Sequence, residues 1–524
     1  MKRIIFWVLI AGFIGVTIPV GADWRDDFQT LITGTKDADT EILIGKIIDV
    51  KPQWREIQNA FRSVAFESPE STDMFLEFEY MCSDGVKRPY ILYVPPDYDA
   101  LEPVPLLVYL HGGVSRKDIL EERLEYAQEN PFIAQARLQN WLVFFPFGQL
   151  EATWWDDVGM DNVLGTIRHI KQQYNIDDDR VWMTGFSDGG SASFLFSMVH
   201  PTDFAAFAPL NGHMGVGALD GELPTYVTNM TNTPLYVINT DVDALYPAAK
   251  MRQMIDMATN AGADILYREY NGIGHDFAYA DVEMPLISRF FERHPRDPFP
   301  GKIIWKSAFS DFGRCRWIEI EAVSPEPPAS WHEDANLVLT DTRITFGFFM
   351  DDKFEGKGIR VNSLVEGDTP ARAMDLRVGD IIVKCNDTPI RKNDDLDAFK
   401  STICRGDSIK ITVSRDGEKV KLSGTLPEPV HYYLFPRSVP SAAVKAEYSA
   451  NRIDIKSSRV ERLTVYIHPD MIQLDQPLSI TVDGVEVFNG IVTPDIEFML
   501  RNYLENRDRR QLFINKLTIE MSNF

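Results

Sequence analysis

Between residues 105 and 270 the chain repeats one pattern, in which a short apolar run of strand length is followed by a helical segment. The apolar runs are PLLVYLHGG, WLVFFPF, RVWMTGFS, PLYVINT and ADILYREY. Runs of this kind are typical of parallel strands that are buried on both faces, with helices as crossovers. The pattern therefore predicts a doubly wound α/β domain, which we assign to residues 75–298.

The segment before this domain has two parts. Residues 1–22 combine two basic residues with an apolar run and end in Val-Gly-Ala, which predicts a cleaved signal peptide. A retained membrane anchor is the alternative, and the short apolar run argues against it. We therefore expect an exported protein, periplasmic or extracellular, with no membrane span after cleavage. Residues 23–74 have the amphipathic periodicity of helices.

After Pro300 the alternation stops and the chain becomes rich in strand patterns, such as RWIEIEAV, RLTVYIH and LSITVDGVEVF. Proline-rich stretches separate a segment of different character from the rest. We predict a sandwich-like β domain formed by residues 299–350 and 430–524, and an inserted domain at residues 351–429.

Charge and cysteine content exclude some classes of function. A formal net charge of −24 repels phosphate backbones, so we expect no nucleic-acid partner. The four cysteines have none of the spacings typical of metal sites, and we predict no metal centre. Cys385 and Cys404 lie in one predicted domain, and the sequence leaves open whether they pair.

The tightest local signal is GFSDGG at residues 185–190, between the predicted strand RVWMTGFS and the helical run SASFLFSMV. A serine on a sharp strand-to-helix turn needs glycines on both sides, because the backbone folds tightly and neighbouring chains come close. This context predicts that Ser187 is a nucleophile at the carboxyl end of a strand.

A serine nucleophile needs a histidine base, and the histidine needs a carboxylate that fixes its tautomer. In this kind of sheet the three follow in the order Ser, Asp, His. His275 lies in a glycine-rich loop after ADILYREY, and Asp243 lies just beyond PLYVINT. We predict that these residues complete a triad with Ser187, with Asp241 as the alternative acid.

The oxyanion of an acyl-transfer reaction needs preorganised N–H donors. The first predicted donor is the amide of Asp188, directly after the nucleophile. The second comes from the turn after PLLVYL, where HGGV at residues 111–114 offers the amides of Gly113 and Val114.

With HGG, GFSDGG and the later Asp and His in place, residues 75–298 resemble the polyhydroxybutyrate-depolymerase and feruloyl-esterase-like branch of the α/β-hydrolases. They also resemble the catalytic domain of prolyl-oligopeptidase-type peptidases. The resemblance implies cleavage of a small-molecule or polymer ester through an acyl-enzyme, without a cofactor. It also implies that Trp154 and Trp155 contact substrate, since related esterases often keep aromatic residues in this loop; packing in the core is the alternative.

Asp188 departs from this family pattern, because Met, Ala or Gln commonly follows the serine. A carboxylate is tolerated at a helix N-terminus. It also lies beside the developing oxyanion, so it bears on the rate or on the preferred charge of the substrate.

The inserted segment contains GKGIRV, VEGDTPARAMDLRVGDIIVKCNDTPI and DDLDAFKSTICRGDSIKITVSRDGEKVKL. It resembles a PDZ domain of the permuted bacterial kind. The resemblance implies a loop that holds the C-terminal carboxylate of a peptide, which we assign to Lys357, Gly358 and Ile359. Occupation of this groove by the protein's own chain is the alternative.

Two other functions stay open at this stage. A serine peptidase is one, because PDZ domains often accompany exported proteases. A PDZ-containing binding protein with weak catalysis is the other, because of Asp188.

Overall fold

The structure is a computed structural model that describes residues 24–34, 39–69, 71–333, 335–351 and 353–523. The predicted signal peptide at 1–22 lies outside the described residues. The chain divides into two compact units, one formed by residues 1–335 and 437–524 and the other by residues 336–436.

The first unit begins with three short amphipathic helices, each burying one apolar face. The rings of Phe28 and Phe61 from the first and third helix meet edge to face, with centroids 4.8 Å apart. These helices are α1 (Trp24–Thr33), α2 (Thr40–Asp49) and α3 (Trp54–Arg62).

An eight-stranded sheet with helices follows. Its strands are β1 (Met74–Met81), β2 (Lys87–Val94), β3 (Val104–Leu110), β4 (Leu142–Pro146), β5 (Ile176–Phe186), β6 (Ala206–Leu210), β7 (Leu235–Thr240) and β8 (Ile265–Tyr270). Its helices are α4 (Arg123–Gln128), α5 (Ile133–Gln139), α6 (Asp157–Gln173), α7 (Asp188–Val199), α8 (Val216–Leu219), α9 (Ala248–Asn260) and α10 (Ala280–Arg293).

The order of strands in this sheet is β1-β2-β4-β3-β5-β6-β7-β8. Strands β3 to β8 run parallel to one another, and β2 pairs antiparallel with both of its neighbours. Strands β3 to β7 are buried along their whole length apart from a few residues of β5, as the uninterrupted apolar runs predict. The carboxyl ends of β3, β5, β6, β7 and β8 therefore lie along one edge, where such sheets carry their ligands.

Three strands, β9 (Lys302–Ser307), β10 (Arg314–Cys315) and β11 (Ile318–Val323), lead to the second unit. That unit has a small apolar core that includes Ile382, Ile411 and Val413. Its elements are β12 (Val338–Asp341), β13 (Phe348–Met350), β14 (Ile359–Leu364), α11 (Pro370–Ala373), β15 (Ile381–Cys385), β16 (Thr388–Pro389), α12 (Asn393–Lys400), β17 (Ser408–Arg415), β18 (Glu418–Thr425) and β19 (Val430–Tyr433).

The remaining elements return to the first unit. They are β20 (Ala442–Ser449), β21 (Arg452–Ser458), β22 (Val460–Ile467), β23 (Leu478–Val482), β24 (Val485–Gly490), α13 (Ile496–Asn506) and β25 (Asn515–Glu520). Strand β9 joins a five-stranded sheet in the order β24-β23-β21-β20-β9, while β10 and β11 join a four-stranded sheet in the order β10-β11-β22-β25. Trp317 in the β10–β11 turn packs edge to face against Tyr448 of β20, with centroids 5.6 Å apart.

A buried group of charges lies within the first unit, where the α/β sheet adjoins the C-terminal strands. The guanidinium of Arg296 donates to Asp508 at 2.6 Å and to Asp179 at 3.1 Å, and the Arg296 and Asp508 side chains are almost fully buried. Buried charges of this kind persist only when they are paired and hydrogen-bonded.

All four cysteines carry free thiols, so Cys385 and Cys404 do not form a disulfide in this structure. Within the described ranges, no helix is both long and apolar enough to cross a bilayer. The same residues contain no cluster of three or more side chains suited to hold a metal ion.

Candidate active site

Ser187 stands on the turn between β5 and α7, with φ of 60° and ψ of −116°. This backbone conformation is unfavourable for a residue with a side chain and is typical of strained turns at functional sites. Glycine is needed beside it, because a Cβ on Gly189 would lie 1.9 Å from the carbonyl oxygen of Leu110. The packing of the turn against β3 therefore explains the glycine that the motif requires.

His275 and Asp243 meet at the same edge of the sheet. His275 Nδ1 lies 2.7 Å from Asp243 Oδ2, and the carboxylate is buried while the imidazole is about one-fifth exposed. Because a carboxylate can only accept, Nδ1 carries the proton, and Nε2 of the neutral ring is left able to accept one.

The Asp243 carboxylate accepts four hydrogen bonds. Oδ1 accepts from the amides of Leu245 and Tyr246 at 2.8 and 2.9 Å, and Oδ2 accepts from His275 and from Asn211 Nδ2, the latter at 3.0 Å. Burial by itself raises the pKa of Asp243, but these donors outweigh burial and lower the pKa to about 2. The carboxylate thus stays ionised opposite the histidine.

Asp241 occupies a different position. Its side chain is exposed, and Oδ1 accepts from the amide of Gly272 at 2.7 Å in the loop that carries the histidine. Asp241 thus stabilises the start of this loop, whereas Asp243 hydrogen-bonds with His275.

Three residues that the sequence analysis did not select support the Asp243–His275 pair. Asn211 follows β6 directly and is fully buried. Its Nδ2 donates to Asp243 Oδ2 and to Thr240 Oγ1, and its Oδ1 accepts from the hydroxyl of Tyr279 at 2.7 Å. Thr240 in turn donates to the carbonyl of Gly274 at 2.7 Å, next to His275. The sequence signal for Asn211 is its position directly after a buried apolar strand, because a buried amide without hydrogen-bond partners would carry a desolvation cost.

The ring of Phe186 packs against the ring of His275. Phe186 directly precedes Ser187, and its ring centroid lies 4.8 Å from that of His275. In this conformation Ser187 Oγ and His275 Nε2, both among the described atoms, share no hydrogen bond. Such bonds are often long in the absence of substrate and tighten when it binds.

The loop after β3 lies directly against Ser187. A Cβ on Gly112 would be 2.8 Å from the Ser187 Cβ, and Gly113 has φ of +72°, a region that favours glycine. The predicted donor Val114 is already engaged, since its N–H donates to Asp188 Oδ2 at 3.0 Å. In this conformation the amides of Gly113 and Asp188 are the two candidates that remain.

The buried side chains of His111 and Trp154 support this loop from the protein interior. His111 Nε2 accepts from the amide of Gly148 at 3.0 Å, and the Trp154 indole N–H donates to the His111 carbonyl at 2.9 Å. Burial lowers the pKa of His111 and keeps the ring neutral for this role. Trp154 is fully buried, so it supports the loop instead of offering a surface to substrate as predicted.

Trp155 is also nearly buried, with 8% of its surface exposed. A Cβ on Gly221 would lie 2.9 Å from the Trp155 Cβ, so the α8–β7 segment packs closely on this residue. Any substrate contact of Trp155 is therefore confined to a small exposed part of the side chain.

In the second unit, the predicted carboxylate loop at Lys357, Gly358 and Ile359 leads into β14, an interior strand between β13 and β15. The Gly358 N–H already donates to the carbonyl of Arg391 at 3.1 Å. A peptide that adds a strand needs a free sheet edge, so this loop is not suited to the predicted role. The terminal strands of this sheet are β13 and β18, and the one next to β14 is β13, which follows Gly347 with its φ of +83°.

The eight-stranded sheet, the serine between β5 and α7, and the Asp–His pair after β7 and β8 together define an α/β-hydrolase fold. Residues 147–292 match the dienelactone hydrolase family, and residues 340–426 match the PDZ domain family. The prediction of an α/β-hydrolase fold followed by a β-rich region with a PDZ domain is thus confirmed.

Individual proteins are similar to parts of the chain. The bifunctional acetylxylan esterase/xylanase of Neocallimastix patriciarum is 30% identical over 166 residues, which cover 31% of this chain and 23% of that protein. The chain thus spans less than a quarter of the length of this curated relative. A thermostable esterase of known structure is 22% identical over 42% of this chain and 63% of its own, with a TM-score of 0.36. A ferulic acid esterase is 14% identical over 43% of this chain and 99% of its own, with a TM-score of 0.36.

Proposed function

We propose that the protein is a serine hydrolase that cleaves carboxylic esters, with Ser187 as nucleophile, His275 as base and Asp243 as the acid that orients it. The observation that carries the proposal is the 2.7 Å hydrogen bond between His275 and the buried Asp243 carboxylate, beside a serine in the strained elbow conformation. Acyl transfer needs a nucleophile, a base and an acid that orients the base, and the serine, the histidine and the aspartate are the residue types suited to these roles.

In the first half-reaction Ser187 Oγ attacks the ester carbonyl while His275 Nε2 takes its proton. The amides of Gly113 and Asp188 stabilise the oxyanion. The carbon–oxygen bond to the alcohol then breaks, and His275 returns the proton to the departing alkoxide. The product of this step is the acyl-Ser187 enzyme and a free alcohol.

In the second half-reaction a water molecule replaces the alcohol. His275 takes its proton as the water oxygen attacks the acyl carbonyl, and the same proton returns to Ser187 Oγ when the acyl–serine bond breaks. Asp243 stays ionised throughout and stabilises the imidazolium that forms twice in each cycle.

For the substrate we propose an acyl ester on a carbohydrate or a similar polymer. The Neocallimastix protein, of which 23% is covered, carries the name bifunctional acetylxylan esterase/xylanase, which supports small acyl groups on a polysaccharide.

The test is hydrolysis by the purified full chain of p-nitrophenyl acetate, acetylated xylan and a proline-containing peptide anilide. Cleavage of the two esters, abolished by Ser187→Ala, is the expected result. Preferential cleavage of the peptide would favour the peptidase alternative, and turnover that survives Ser187→Ala would contradict the proposal.

For the PDZ domain we propose that a peptide C-terminus adds as a strand to the free edge of β13. Phe349 of this strand is 62% exposed, so its ring is available to pack against a side chain of the added peptide strand. A fluorescent peptide with a free C-terminus should bind, and the same peptide with an amidated C-terminus should bind at least tenfold more weakly.

We also propose that residues 1–22 direct export and are then cleaved. The N-terminal sequence of the mature protein tests this proposal, and we expect it to begin at Asp23.

A further inference from the structure

The residue after the nucleophile carries a carboxylate, and this carboxylate is fixed to the oxyanion loop. Asp188 Oδ2 accepts from the amide of Val114 at 3.0 Å. Asp188 opens α7, and Val114 directly follows Gly113 in the loop after β3. A single hydrogen bond thus joins the two segments whose amides are the candidates for the oxyanion hole.

The same carboxylate contributes to a negative environment around the site. Tyr246 stands edge-on to the His275 ring, with centroids 5.9 Å apart. Burial raises the pKa of Tyr246 to about 12, and the nearby carboxylates of Asp188 and Asp220 add to the increase. The charge of Asp188 therefore acts on the hydroxyl of Tyr246, whose ring contacts His275.

A positive group lies on the other side of the loop. A Cβ on Gly113 would be 3.3 Å from Nε of Arg116, so the guanidinium covers this glycine. Arg116 is exposed, and solvent screens its charge. Asp188 is half-buried and held by a hydrogen bond, so its charge acts at a fixed position and through less water.

We propose that Asp188 is a positioning residue for the oxyanion loop and a determinant of specificity, whose carboxylate disfavours acyl groups that carry a negative charge. The inference rests on the proposed esterase function. The tether keeps Gly113 facing Ser187, and the charge repels a second anion at the acyl site while a neutral acyl group is accepted.

The two roles are separated by two substitutions. Asp188→Asn keeps an oxygen that can accept from Val114 but removes the charge, whereas Asp188→Ala removes both. The probes are p-nitrophenyl hydrogen adipate, which carries a terminal carboxylate, and its neutral methyl ester. Arg116→Gln serves as the matched control, because it removes the opposite charge from the same loop.

In Asp188→Asn the ratio of kcat/KM for the anionic ester over the neutral ester should rise at least tenfold. Asp188→Ala should show the same change in the ratio and at least a tenfold lower kcat on both esters. Arg116→Gln should change the ratio by less than threefold.

A ratio in Asp188→Asn within threefold of the wild-type value would overturn the role of the charge. An undiminished kcat in Asp188→Ala would overturn the tether. Fluorophosphonate labelling of the wild-type enzyme, measured in parallel, distinguishes the two proposals: a labelled enzyme with an unchanged ratio contradicts this inference alone, and an unlabelled enzyme contradicts the proposed function as well.

Discussion

Asn211 Nδ2 lies 3.0 Å from Oδ2 of Asp243, the same carboxylate oxygen that binds His275. A group that donates to a charged partner in a buried site contributes roughly 1.5–3 kcal/mol. Asn211 therefore fixes the carboxylate in the orientation that pairs with His275, and it is fully buried, out of reach of a substrate.

Asn211→Ala is expected to lower kcat for p-nitrophenyl acetate by roughly 10- to 100-fold, as the loss of one such donor implies. KM should change less than threefold, because no contact with substrate is lost. Steady-state kinetics with a melting curve of each variant checks this. Asn211→Asp, of nearly the same shape but with the same negative charge as Asp243, should be at least as impaired because the two carboxylates repel each other.

Substitution of the two candidate acids should affect kcat very differently. Asp243→Asn should lower kcat by about 10³- to 10⁴-fold, because the histidine loses the partner that fixes its tautomer. Asp241→Asn should cost less than tenfold, since it changes only the exposed bond to Gly272. Equal losses in the two variants, measured on the same ester, would contradict the assignment of Asp243.

The pKa of Asp243, about 2 against an ordinary value of 3.8, predicts an acid-dependent share of stability. A carboxyl whose pKa is lowered in the folded state stabilises that state above about pH 4 and loses this contribution as the pH falls through 2. The stability difference between wild type and Asp243→Asn should therefore shrink by about 2 kcal/mol between pH 5 and pH 2. Urea denaturation at each pH measures it, and a constant difference would argue against the lowered pKa.

Removal of Asp508 should strongly destabilise the first unit. Asp508→Ala leaves the buried Arg296 guanidinium with Asp179 as its remaining carboxylate, and breaking a buried pair costs roughly 3–5 kcal/mol. The matched control is Glu520→Gln, which breaks the half-exposed pair with Arg462 and should cost less than about 1 kcal/mol. Similar losses of unfolding free energy in both variants would show that burial does not set the cost.

Local sequence patterns predict the α/β sheet and the order of the candidate residues, because strand length, apolar continuity and glycine positions are properties of neighbouring residues. The environment of Asp188 and Val114 is different, since their bond spans 74 positions and depends on how the β3 loop packs on α7. Trp154 is a similar case, because only the packed loop decides whether an indole faces the core or the solvent.

The PDZ segment illustrates the same limit. A glycine loop before an apolar strand, such as GKGIRV, has the same local pattern whether the strand lies at an edge or in the interior of a sheet. Only the strand order reveals that β14 is interior and that its neighbour β13 is a terminal strand. Long-range pairing of this kind is set by the whole unit and not by the motif.

The most direct test of the central claim is covalent labelling by a fluorophosphonate probe, followed by mass spectrometry of the labelled peptide. With Ser187 as nucleophile we expect one probe per chain, attached to Ser187, no labelling of Ser187→Ala, and protection of wild type by an excess of ester substrate. Absence of labelling in the folded wild-type protein, or attachment at another residue that persists in Ser187→Ala, would contradict it.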